Sequence, residues 1–270
     1  MGKIMNNKTY GKLQGYGILI IAVIFLSLVA NLALANPKIH WGAELVPHWS
    51  YSGEENPHHW AALSPDFAIC SKGQNQSPIN FESGTREKSP NLVFNYQNTP
   101  LNIVNNGHTI QINYAKGSRV IIGDKDYELM QFHFHTPSEH TINKKVAKME
   151  LHLVHKNEEG EIAVIGILIQ QGQEHPLIKK IWQYISPEQG EKNFANVIIN
   201  AKDFIPVDQS YYNYIGSLTT PPCTEGVNWF VFKTPLKVSP QQIQQFTQIY
   251  QLNARPVQPL NQREIVIREY

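Results

Sequence analysis

The stretch Gln131-Phe132-His133-Phe134-His135 constrains the fold of this chain more than any other. In a β-strand, successive side chains point to opposite faces. Phe132 and Phe134 therefore enter one layer, while Gln131, His133 and His135 share the other face. The stretch Glu150-Leu151-His152-Leu153-Val154-His155 alternates in the same way and puts Glu150, His152 and Val154 on one face. If the two strands pair, His133, His135 and His152 converge. A catalytic zinc site usually takes three protein ligands and leaves a fourth position for water. Taken alone, a His-x-His pair reads equally well as a cross-strand polar pair.

The rest of the chain follows the same period. Short alternating or apolar runs occur at 92–96, 101–104, 109–114, 118–122, 127–135, 148–155 and 162–170, with further strands at 227–232 and 264–268. Turn signals separate them, including Asn106-Gly107, Lys116-Gly117 and the segment 157–160. The run 162–169 is apolar on both faces and predicts a central strand. Helices are predicted at 176–185 and 240–250, the second with Ser239 as N-cap and Pro240 in its first turn. The segment 41–66, rich in Trp, His, Pro and Gly, reads as an ordered, loop-like N-terminal segment. The fold class is mainly β (α+β): one domain, one large sheet, and a few peripheral helices.

Of the 270 residues, 41% are hydrophobic and 17% charged, which suits a well-buried domain. Residues 1–35 read separately. Lys3, Lys8 and Lys12 precede an apolar run at 18–30 and then Ala33-Leu34-Ala35. A basic start, an apolar middle and a small-x-small site make a secretory signal peptide. The competing reading is an uncleaved anchor, since the run is nearly long enough to span a bilayer. The predicted organisation is thus a leader at 1–35 and a single domain at 36–270, exported to the periplasm or beyond. The formal net charge of +1 gives no electrostatic case for nucleic acid. The two cysteines, Cys70 and Cys223, suggest a disulfide in an exported protein; two free buried thiols are the alternative.

Several motifs occur together in order. They are Gln76-Ser77-Pro78-Ile79-Asn80, Asn105-Asn106-Gly107-His108, the two stretches above, Ser138-Glu139-His140-Thr141, Ala163-Val164-Ile165-Gly166, Leu218-Thr219-Thr220-Pro221-Pro222 and Arg255-Pro256-Val257-Gln258-Pro259-Leu260. Their order and spacing resemble the α-class carbonic anhydrases over nearly all of 36–270. The resemblance implies a twisted, mostly antiparallel ten-stranded sheet with zinc at the base of a conical cleft. It implies reversible hydration of CO2 to bicarbonate and a proton by a zinc-bound hydroxide, with weak esterase activity beside it.

Residue by residue, the resemblance assigns Zn2+ to His133, His135 and His152. Gln131 and Glu150 would orient the rings of His133 and His152, each sitting one pleat from its partner. Thr219 would accept a hydrogen bond from the hydroxide and donate to Glu139, because a hydroxyl has a single donor. His108 would carry the proton out, since an imidazole accepts and releases protons near neutral pH. Val154, Val164, Leu218 and Trp229 would form the apolar wall for CO2, with Thr219 and Thr220 beside it. Tyr51, Asn106 and Gln111 would hold ordered water in the cleft. The resemblance also places the bridge at Cys70 and Cys223, and cis bonds at Ser77-Pro78 and Pro221-Pro222. His140 and His155 take structural places; His40, His48, His58, His59 and His175 take surface or packing ones. The expected ligands are CO2, bicarbonate, other anions and sulfonamide-type inhibitors, with the membrane met only through the leader. Two readings compete: a non-catalytic zinc- or ligand-binding relative, which would typically lack a zinc histidine, and a zinc scavenger, which would favour a mobile His-rich tract.

Overall fold

Fifteen strands account for most of the regular structure in the described residues. They are β1 (Asn80–Phe81), β2 (Thr85–Arg86), β3 (Leu92–Asn95), β4 (Thr99–Asn105), β5 (Ile110–Asn113), β6 (Arg119–Ile122), β7 (Lys125–His135), β8 (Thr141–Ile142), β9 (Lys145–Val146), β10 (Met149–Lys156), β11 (Ile162–Gln171), β12 (Gly190–Ile199), β13 (Tyr211–Ser217), β14 (Glu225–Val238) and β15 (Val266–Arg268). The structure is a computed structural model that describes residues 47–86 and 90–269. The predicted leader at 1–35 lies outside the described residues.

The main sheet has twelve strands. Its path runs β12-β4-β5-β7-β10-β11-β14-β13-β15-β2, ten strands in line, with β3 and β6 attached beside β7. Pairing is antiparallel except between β11 and β14 and between β15 and β2. β1, β8 and β9 form a second, small sheet. β11 lies inside the path, and its residues 163–169 are buried, as its two-sided apolar run predicts.

One face of the sheet carries the larger core. Phe132 and Phe134 of β7, Leu151 and Leu153 of β10, Ile165 and Ile167 of β11, and Phe230 and Phe232 of β14 all lie in it. Each fully buried side chain of this size contributes roughly 1.5–3 kcal/mol. The helices Pro176–Trp182 and Pro240–Thr247 cover this face with Leu177, Ile178, Ile181, Trp182 and Phe246. Both helices are shorter than the apolar spacing predicts. The second begins as predicted, with Ser239 and Gln242 forming a reciprocal capping box.

The sequence pattern misses two long strands. β12 is the edge strand and is exposed along most of its length, so it has no alternation to read. β13 mixes tyrosines with small polar residues and owes its place to pairing with β14 and β15. The loop predicted before residue 66 contains short helical turns at Gly53–Glu55, Trp60–Leu63 and Pro65–Phe67. Trp60, Phe67, Cys70 and Cys223 form a third cluster there, and the two cysteines are joined in a disulfide.

Candidate metal centre

The other face of the sheet builds the site in rows. Residues paired across neighbouring strands share a face. One row runs Gln111–His133–His152–Gly166 through β5, β7, β10 and β11. The next runs Asn113–Gln131–Val154–Val164–Trp229 and ends on β14. A third holds His135 opposite Glu150. Polar residues thus occupy the β5 side of the histidines and apolar ones the β14 side.

One ring nitrogen from each of His133, His135 and His152 lies within 4.8 Å of the others. The opposite nitrogen of each ring is engaged elsewhere. His133 Nδ1 donates to Gln131 Oε1 at 2.8 Å. His135 Nδ1 donates to the Asn253 carbonyl at 2.7 Å. His152 Nε2 donates to Glu150 Oε1 at 2.9 Å. These bonds set the tautomers, so the lone pairs left over are Nε2, Nε2 and Nδ1. His135 Nε2 is buried with no hydrogen-bond partner. Burial, then the neighbouring His135 and His152, lower the His133 pKa well below its ordinary value. Burial lowers His135 to about 4 and also lowers His152, against the pull of Glu150. Three neutral rings with free, converging lone pairs fit Zn2+, which takes nitrogen ligands in threes at catalytic sites.

Glu150 holds a second group together. It is fully buried. Its Oε1 accepts from His140 Nδ1 at 2.7 Å as well as from His152, and its Oε2 accepts the main-chain N–H of Glu139 and His140 at 2.9 and 2.8 Å. Burial raises this carboxyl, but His140 and His152 outweigh it and hold the pKa well below the ordinary range. His140, Glu150 and His152 are also close enough to share an ion. The nitrogens that face Glu150, His140 Nδ1 and His152 Nε2, are already spent on these hydrogen bonds, so the group reads as a bonded relay. Gly166 makes room for it: a Cβ there would meet Glu150 Oε1 at 3.2 Å and Val231 Cγ2 at 3.1 Å.

Glu139 is also buried beside the histidines. Its Oε1 accepts the Arg255 N–H at 2.8 Å, and its Oε2 lies 3.5 Å from His135 Nε2. Burial pushes its pKa up to about 7, with His152, Arg255 and the Thr219 hydroxyl pulling the other way. Thr219 is buried next to half-buried Leu218 and Thr220. Val154, Val164, Leu218 and Trp229 belong to one apolar cluster. Tyr51 is half-buried, and burial together with Glu139 raises its pKa. Gln111 Nε2 donates to Asn113 Oδ1 at 2.6 Å.

His108 sits just before β5. Its N–H donates to Asn106 Oδ1 at 2.9 Å, which also takes the Thr109 N–H at 2.9 Å. The Asn106 side chain therefore closes the turn before β5. The His108 ring is half-buried and stacks on Trp49 with centroids 3.6 Å apart and planes 7° from parallel. Burial and then nearby His48 lower its pKa.

Three residues at this site have no role in the sequence reading. Trp49 lies in a segment read as ordered but loop-like, with no part in the site. Arg255 belongs to a recognised motif, yet its role appears only in the fold: its guanidinium bonds Gln76, Ser77 and Cys70. Asn253 reaches His135 from 118 residues away in sequence, and no local pattern announces such a contact. The peptide bonds before Pro78, Pro137 and Pro222 are cis.

The model of the eukaryotic-type carbonic anhydrase family matches residues 55–269. The chain belongs to that family. A carbonic anhydrase of Nostoc sp. is 41% identical over 256 residues, covering 93% of this chain and 94% of its own. One from Klebsiella pneumoniae is 41% identical over 223 residues, covering 81% and 90%. The solved α-carbonic anhydrase of Thermovibrio ammonificans, in complex with the inhibitor sulfanilamide, superposes with a TM-score of 0.79. It is 41% identical and covers 82% of this chain and 99% of its own. The family's members are zinc-dependent lyases, and the reaction is the reversible hydration of CO2 to bicarbonate and a proton.

Proposed function

We propose that this chain hydrates CO2 at a zinc ion held by His133, His135 and His152. The observation that carries the reading is the convergence of three neutral ring nitrogens, each with its opposite nitrogen already bonded. When bound, the ion acidifies a water and supplies hydroxide near neutral pH, an effect for which carbonic anhydrase is itself the standard example.

The surrounding residues divide the remaining work. Val154, Val164, Leu218 and Trp229 give CO2 an apolar surface, and a ligand with no charge needs nothing stronger. Glu139 accepts the hydrogen bond of the Thr219 hydroxyl, which commits its single donor and leaves the Thr219 oxygen to accept from the attacking group and aim it at carbon. The Thr219 N–H and Thr220 contact the anionic product, and the same contacts suit anions and sulfonamides. The proton left behind passes to His108. Its lowered pKa keeps the ring neutral, and so able to accept, at pH 7. Ordered water held by Tyr51, Asn106 and Gln111 bridges the gap.

Export fits the same reading. The Cys70–Cys223 bridge suits an oxidising compartment, and residues 1–35 act as the signal peptide. Among the described residues no helix is long and apolar enough to cross a membrane.

The test is stopped-flow CO2 hydration on the chain without residues 1–35, before and after zinc removal. Turnover should vanish with chelation and return with added zinc. A folded, disulfide-intact, zinc-loaded protein with no turnover would sink the reading in favour of a binding protein.

A further inference from the structure

We propose that the Asn253 side chain is a positioning residue that sets the place of the proton carrier His108 relative to the metal centre. This rests on the CO2 reading above. Asn253 is fully buried in the coil that follows the helix Pro240–Thr247. Its polar groups are used in two separate sets.

The main chain serves the metal ligand. Its carbonyl accepts from His135 Nδ1 at 2.7 Å, and its N–H donates to the Thr136 carbonyl at 2.9 Å. The side chain serves the gap between two strands. Oδ1 accepts the Thr136 N–H at 2.6 Å. One Nδ2 hydrogen goes to the Phe134 carbonyl at 2.9 Å and the other to the His108 carbonyl at 3.0 Å. A side-chain amide has two donors, and here both are spent joining the His108 backbone to the ligand strand β7.

The place needs such a joint. The pairing of β5 with β7 ends at Gln111 and His133. His108 lies three residues beyond it, while His135 lies two residues past His133 on the other strand. Where ladder hydrogen bonds have stopped, side chains supply the connection. Thr109 Oγ1 donates to the same Phe134 carbonyl at 2.5 Å. With its N–H on Asn106 and its carbonyl on Asn253, the His108 backbone is held at both ends. The ring itself stacks on Trp49. Proton transfer over a water bridge depends steeply on donor–acceptor placement, so a backbone shift of about 1 Å costs up to ~100-fold in rate.

The split between main chain and side chain makes the idea testable. Asn253→Ala keeps the carbonyl that orients His135 and deletes all three side-chain bonds. The steps from free CO2 to released bicarbonate set kcat/KM. Proton export follows them and enters kcat alone. On the zinc-loaded full-length domain, stopped flow should show kcat in dilute buffer falling roughly ten- to a hundredfold. kcat/KM should stay within about twofold, and added imidazole should restore kcat by replacing the misplaced carrier. Zinc affinity, read by competition with a chromophoric chelator, should stay at the wild-type value.

A parallel fall in kcat and kcat/KM, a weakened zinc affinity, or an unchanged kcat would each overturn the inference. If Asn253→Ala does not fold, Asn253→Asp has the same size, keeps the acceptor for Thr136 and offers at most one donor to the two carbonyls; the same split is then required of it. A wild-type chain with no zinc-dependent turnover would overturn the CO2 reading and this inference together. An active wild type with unsplit variants overturns this inference alone.

Discussion

His155 shows how one buried side chain sets a pH limit on this protein. It is fully buried, with Nδ1 donating to the Ala163 carbonyl at 3.3 Å and Nε2 accepting from the Tyr96 hydroxyl at 2.6 Å. Burial lowers its pKa to about 4, against hydrogen bonds that raise it. The unfolded chain has an ordinary histidine there and binds the proton first on acidification. Stability from His155 is therefore complete above about pH 6.5 and is lost as pH falls toward 4. The loss at this residue is about 3 kcal/mol. His155→Gln keeps a donor and an acceptor but does not titrate. Urea denaturation at pH 7 and pH 4 should show the wild type losing about 3 kcal/mol more than the variant between the two. Equal losses would mean that the buried ring is not neutral by burial. The converging rings of His133, His135 and His152 follow the same logic: burial depresses their pKa values and keeps them neutral, with lone pairs free.

Elements explain why the three histidines stay in place. β7 and β10 pair His133 with His152 and back them with Phe132, Phe134, Leu151 and Leu153 on the opposite face. A slip of one residue would turn the histidines into the core and the rings into the cleft. The core therefore locks the register that the site requires. The helices on that core add stability without touching the chemistry. At the start of Pro240–Thr247, Ser239 Oγ accepts the Gln242 N–H at 3.2 Å, and Gln242 Oε1 accepts the Ser239 N–H at 3.0 Å. Ser239→Ala should cost about 1 kcal/mol in urea denaturation and leave zinc-dependent turnover unchanged. A loss of turnover at full folding would mean that this helix acts on the site directly.

For the whole molecule, the disulfide is the longest covalent tie, joining positions 153 residues apart. Cys70 and Cys223 are both buried and pack with Trp60 and Phe67. Cys223 lies in the loop that carries Thr219, so the bridge ties the N-terminal turns to that loop. Arg255 reinforces the tie by donating to the Cys70 carbonyl at 2.7 Å while its N–H holds Glu139. Replacing both cysteines with serine should cost roughly 2–5 kcal/mol by denaturant titration. Because Thr219 would lose its anchor, kcat/KM for CO2 should fall in the same variant. Full activity in the serine variant would separate the bridge from the site.

The sequence by itself determined the two strands that carry His133, His135 and His152, and their faces. Alternation in Gln131–His135 and Glu150–His155 is local, and local patterns survive in one dimension. Local pattern also placed β11, the Ser239 cap and the order of motifs that marks the family. Tertiary structure alone decided what depends on distant partners. β12 became a strand because β4 offers it a ladder, although its exposed residues show no period. Asn253 meets His135, Thr136 and His108 only once the coil after the last helix folds back against β7. Trp49 finds the His108 ring in the same way. A hydrogen bond between residues more than a hundred positions apart leaves no periodicity in the chain. It exists only when burial makes an unpaired polar group costly enough to demand that one partner.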